Sequence, residues 1–171
     1  DNFLKNYWNP PADKPIAGAN IDGSGEAKFT RTTSIPKGSK VSSVTFYYTA
    51  TENISGGQVT IEVPSNWTAP STTPSGAGEV ILTNYSGCNT TMSISSKTIT
   101  VNTTQLAKNK KFKLAYKKIV APSDNGVYTF VVKSKASGGK LTEIKQSPSL
   151  TVADKAKSKS KKSSKSSKSK S

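Results

Sequence analysis

The sequence of 171 residues contains no histidine. That removes the Ser–His and Cys–His pairs that activate a hydroxyl or thiol nucleophile, and the usual His/Cys zinc centres. The ten carboxylates are scattered, and no pair stands where a strand would set both across a cleft, as glycoside hydrolysis requires. No glycine-rich phosphate loop with its lysine occurs. Nothing points to an activated lysine either. The expectation is a protein that is not an enzyme and needs no cofactor.

What remains is binding and modification chemistry. Asn20, Asp22, Ser24 and Glu26 alternate around Gly23 and Gly25. Oxygen ligands on a glycine-rich loop suit calcium, which makes Asp22 and Glu26 weak metal candidates. The spacing is not that of the twelve-residue calcium loop, and a polar turn into the first strand is the plainer reading. Five Asn-x-Ser/Thr sequons, at Asn53, Asn66, Asn84, Asn89 and Asn102, are candidate glycosylation sites on an exported chain. With 26 Ser and 20 Thr in the chain, several such triplets arise by composition alone. Cys88 is the single cysteine, so no internal disulfide forms; it is expected to be a small buried or half-exposed thiol, or an intermolecular bridge. A Lys–Asn isopeptide staple would need a buried lysine beside an asparagine and an acid.

Two segments flank the body of the chain. Residues 1–20 carry Phe3, Leu4, Tyr7 and Trp8 ahead of Pro10-Pro11 and Pro15. Large apolar groups before a proline brake suit a connector that finds a partner. The sharpest reading is strand exchange, the segment adding to a sheet edge of the next copy; packing on its own domain and fraying are the alternatives. Head-to-tail contacts of that kind do not close, and so build filaments. Residues 155–171 hold Lys155, Lys157, Lys159, Lys161, Lys162, Lys165, Lys168 and Lys170, no acid and no aromatic. Such a tail binds polyanions by counterion release without reading sequence, or merely solubilises. It carries about half of the net charge of +15.

The body between, residues 21–154, reads as strands. Ala27, Phe29 and Arg31 alternate with polar neighbours, and Pro36-Lys37-Gly38-Ser39 supplies a turn. Val44, Phe46 and Tyr48 share one face of a strand; Val59, Ile61 and Val63 share another, stopped by Pro64. A long loop with Pro70 and Pro74 leads to Val80 and Leu82. Met92–Ile94 and Ile99–Val101 flank Ser95-Ser96-Lys97, a hairpin signal. Phe112, Leu114 and Tyr116 alternate with Lys111, Lys113 and Lys117, giving one apolar and one basic face. Asp124-Asn125-Gly126 turns into Tyr128, Phe130 and Val132; Gly138-Gly139 turns into Leu141–Ile144; Leu150 and Val152 close the domain. Eight or nine short strands with turn signals between them predict an all-β sandwich, and the long Ser/Gly loops favour a Greek-key sandwich over an up-and-down barrel.

The wording of these strands is familiar. Val44–Thr51, Ile54–Pro64 and Asn66–Pro70, with Lys97–Val101 and Gly126–Ser134, resemble an immunoglobulin-like module of prokaryotic adhesin-like or surface-layer-like proteins. The resemblance covers residues 20–153. It implies an immunoglobulin-like β-sandwich and a place at the cell surface; it carries no catalytic motif.

The resulting expectation is a structural subunit of an extracellular filament or surface layer, its partners being copies of itself. The alternative is a monomeric surface module held by its basic tail to an anionic polymer such as DNA or an acidic glycan. No run of 18 apolar residues suggests membrane insertion. The start at Asp1 rather than Met suits a mature extracellular or cell-surface form after removal of a signal peptide.

Overall fold

The computed structural model describes residues 19–155. The candidate connector residues Phe3, Leu4, Tyr7 and Trp8, and the tail lysines from Lys157 onward, lie outside the described residues. Among the described residues, no helix is long and apolar enough to cross a membrane.

After a 3₁₀ turn (Ala19–Ile21) come β1 (Glu26–Phe29), β2 (Ile35–Pro36), β3 (Lys40–Thr49), β4 (Gly57–Glu62), β5 (Val80–Asn84) and β6 (Cys88–Ser95). The chain continues through β7 (Thr98–Leu106), β8 (Lys111–Val120), β9 (Gly126–Thr129), β10 (Val131–Lys135), β11 (Thr142–Glu143) and β12 (Ser149–Ala153). β2 and β11 are two-residue stubs, and β9 and β10 are halves of one sequence run broken at Phe130. The remaining pattern is that of the predicted strands.

They form a four-stranded sheet in the order β1-β3-β8-β5, a five-stranded sheet β11-β10-β4-β7-β6, and a three-stranded strip β2-β12-β9. The two large sheets pack face to face around one apolar core, and the fold is an immunoglobulin-like β-sandwich. The period-two pattern decides which side chains enter it: Phe112, Leu114 and Tyr116 of β8 point inward, while Lys111, Lys113 and Lys117 point out. Phe130 is the meeting point. Its ring lies 4.9 Å from Phe29 and 5.6 Å from Trp67, in edge-on contacts. It falls between β9 and β10 because the chain there passes from the three-stranded strip to the five-stranded sheet.

The long loop after β4 is anchored. Trp67 plugs the core, Lys97 Nζ donates to the carbonyls of Ser65 and Trp67, and the Tyr116 hydroxyl donates to that of Thr68. The hairpin at Ser95-Ser96-Lys97 forms as read, with Ser95 opposite Thr98. Two readings need amendment. Arg31 lies beyond β1, its guanidinium donating to the carbonyls of Thr33 and Ser34 in a bend. Of Leu141–Ile144 only Thr142 and Glu143 are in strand register with β10, and the Ile144 N–H adds one bond to the Val132 carbonyl.

Strand direction separates the two ends of the described chain. β1 starts opposite the end of β3, and β3 starts beside β2, so β1 and β2 run together from one pole to the other. β12 runs parallel to β2, with Ala153 opposite Pro36. Residue 19 therefore stands at one pole and residue 155 at the opposite one. Ten residues of β3 at about 3.3 Å each separate the poles by roughly 33 Å.

Candidate functional site

The residues that chemistry singled out are mostly engaged in holding the fold. Asp22 accepts hydrogen bonds from the backbone N–H of Ala136 (2.8 Å) and Lys140 (3.0 Å), clasping the turn after β10. Those bonds hold its carboxyl below the ordinary carboxylate range. Glu26 stands at the exposed start of β1. Among the described residues no three His, Cys, Asp or Glu side chains gather as metal ligands would. No lysine there is buried, so the isopeptide staple has no lysine to build it.

Cys88 is half-buried, its thiol donating to the Lys111 carbonyl at 2.8 Å, and burial pushes the thiol pKa up. Of the sequon residues, Asn53, Asn66, Asn84 and Asn89 are exposed and Asn102 is half-buried. Asn84 is a structural clasp. Its Nδ2 donates to the Thr90 carbonyl (3.1 Å), and its Oδ1 accepts from the Thr90 N–H (3.1 Å) and hydroxyl (2.5 Å). The amide that glycosylation would modify is thus committed to tying β5 to β6.

Two surfaces offer room for a partner; β5 and β6 are edge strands as well, but the groove lies beside β1. The first is the free edge of β1. Thr30 N–H donates to the Thr45 carbonyl, which continues the β1–β3 ladder and fixes its alternation. Lys28 and Glu26 therefore exchange bonds with β3, while the backbone N–H and C=O of Ala27 and Phe29 point away from it. Among the described residues these groups have no hydrogen-bond partner. They face a groove of about 540 Å³, walled opposite by Lys145–Ser149. The groove is an open strand slot at the surface; the core beneath holds only a small void of about 10 Å³ with an apolar lining that includes Phe29, Phe46 and Phe130.

The second is the outer face of the four-stranded sheet. Register sets Lys28, Tyr47, Lys113 and Thr83 in one row across β1, β3, β8 and β5. The neighbouring row holds Glu26, Thr49 and Lys111. Lys111 Nζ lies over two rings, 4.6 Å from the centroid of Tyr47 and 5.5 Å from that of Tyr85. The basic alternation of β8 was visible in the sequence. The tyrosines were not, because Tyr85 follows β5 and meets Tyr47 only through the fold.

No family model matches the chain, and no curated protein matches it. Solved structures share its architecture. A non-cellulosomal cohesin from Archaeoglobus fulgidus is 8% identical, with a TM-score of 0.44, over 77% of this chain and 92% of that one. An uncharacterised protein of immunoglobulin-like fold from Nocardia farcinica is 13% identical, with a TM-score of 0.42, over 76% and 96%. Self-complemented MyfA, the major subunit of Myf fimbriae from Yersinia enterocolitica, is 11% identical, with a TM-score of 0.38, over 77% and 99%. At these values the likeness carries no argument about activity.

Proposed function

We propose that this chain is a structural subunit of an extracellular filament or surface layer, in which residues 3–8 of one copy add as a strand to the β1 edge of the next. The observation that carries this reading is the pairing of an open strand slot at β1 with polar exits at opposite ends of the sandwich. Residues 19 and 155 on opposite poles suit a head-to-tail array, and an unpaired edge beside a groove suits β-augmentation.

The closed core dictates the kind of joint. β12 is present and the apolar interior is complete, so an incoming segment adds main-chain hydrogen bonds at the edge and does not supply a missing core strand. Phe3, Leu4, Tyr7 and Trp8 would lie along the groove between β1 and residues 145–149. A second reading, retention on an anionic polymer, is favoured by the eight lysines of residues 155–171.

The substitution Ala27→Pro tests the joint. The Ala27 N–H points away from β3, so proline there removes an outward donor and spares the β1–β3 ladder. Sedimentation of the folded variant should show subunits that no longer polymerise, whereas polymers of unchanged length would reject the β1 edge as acceptor.

A further inference from the structure

We propose that the outer face of the four-stranded sheet binds an acidic polysaccharide. The case starts from charge. Lys28, Lys111, Lys113 and Lys117 stand on this face, from β1 and β8. The one ion pair among the described residues joins Lys37 to Asp154 at 3.1 Å, elsewhere on the molecule. None of the four face lysines is thus neutralised by a carboxylate within salt-bridge distance. Two carboxylates share the face, Glu26 in the row of Lys111 and Glu79 opposite Lys117, and neither lies within salt-bridge distance of a lysine.

Geometry orders these charges. Lys28 and Lys113 flank Tyr47 on the two neighbouring strands, which at about 4.8 Å per strand sets their Cα atoms roughly 10 Å apart. Lys111 follows two residues along β8, held over the Tyr47 and Tyr85 rings instead of sweeping through solvent. An ammonium fixed in this way loses less freedom when an anion arrives. Around it stand hydroxyls from Tyr47, Tyr85, Thr45, Thr49 and Thr83. The face offers spaced cations interleaved with hydrogen-bonding hydroxyls.

That pattern selects among polyanions. Single-stranded nucleic acid gains its sequence-tolerant affinity by stacking bases on open aromatic faces. Here the two tyrosine rings carry Lys111 over them. A four-stranded sheet face is also too broad for a duplex groove, which admits a helix or a two-stranded ribbon. A chain of sugars bearing acid groups matches both the lysines and the hydroxyls. Lys28 also lines the β1 groove, but the site uses its side chain and not the free backbone edge, and it is separate from the tail.

The test uses the full chain with the tail lysines of residues 155–171 changed to glutamine, which leaves the sandwich as the cation source. Binding to polygalacturonate, dextran sulfate, neutral dextran and a single-stranded oligonucleotide is measured by affinity electrophoresis at several salt concentrations. Both acidic polysaccharides should retard the protein and neutral dextran should not; a preference between the two tells carboxylate from sulfate recognition. Lys28→Gln with Lys113→Gln should weaken binding about tenfold or more and lower the magnitude of the salt slope by roughly 1.5 to 2. Lys133→Gln with Lys135→Gln, an equal loss of charge on the other sheet, should change affinity less than about threefold. Equal effects of the two double variants, absence of binding to either acidic polysaccharide, or tighter binding of the oligonucleotide would overturn the proposal.

Discussion

Single residues set what this sandwich tolerates, and Tyr48 shows it best. Its ring stacks on Phe112 at 5.4 Å, and its hydroxyl donates to the Ser24 carbonyl at 2.8 Å. Gly25 makes room for that hydroxyl: at a φ of +104°, a Cβ there would lie 2.1 Å from it. Burial raises the Tyr48 pKa from 10.0 to about 12, so the unfolded chain loses this proton first. Stability is therefore full below about pH 10 and declines as the pH rises toward 12. Burial pushes Tyr116 up as well, in the same sense. Tyr48→Phe should unfold at lower denaturant at neutral pH but show a shallower decline above pH 10, by about one proton. Equal alkaline slopes in both proteins would mean that Tyr48 titrates normally.

At the scale of elements, the strands were legible because their side chains alternate. Val44, Phe46 and Tyr48, and Phe112, Leu114 and Tyr116, fall inward as their spacing requires. What eluded the sequence depends on which strand lies beside which. Asn84 reads as a sequon and Asp22 as a weak metal ligand, yet each is a clasp whose partner is chosen by the fold. The Tyr47–Tyr85–Lys111 cluster likewise exists only once β3, β5 and β8 are in register. The break at Phe130 has no local signal, since Tyr128, Phe130 and Val132 alternate without interruption while the chain changes sheets. The Asn84 clasp carries a prediction. Asn84→Ala strands the N–H, hydroxyl and carbonyl of Thr90, a residue that is 5% exposed. Its loss should cost about 2–3 kcal/mol in urea unfolding, with Asn84→Asp in between because it keeps the oxygen that accepts both bonds and loses the Nδ2 donor. A cost under about 0.5 kcal/mol would show that β5 and β6 are held together by packing alone.

The described residues form a sandwich roughly 33 Å long between poles, with residues 19 and 155 at opposite poles, a strand slot at β1 and a basic face. On the filament reading proposed above, a segment leaving one copy would meet an unpaired edge on another, and heterologous joints of this kind extend without closing. The most direct test is negative-stain microscopy of the full chain beside a version lacking residues 1–10, whose deletion leaves every described strand intact. The account predicts filaments or sheets from the full chain and single folded particles from the shortened one. Single particles from both, at high concentration and low salt, would contradict it.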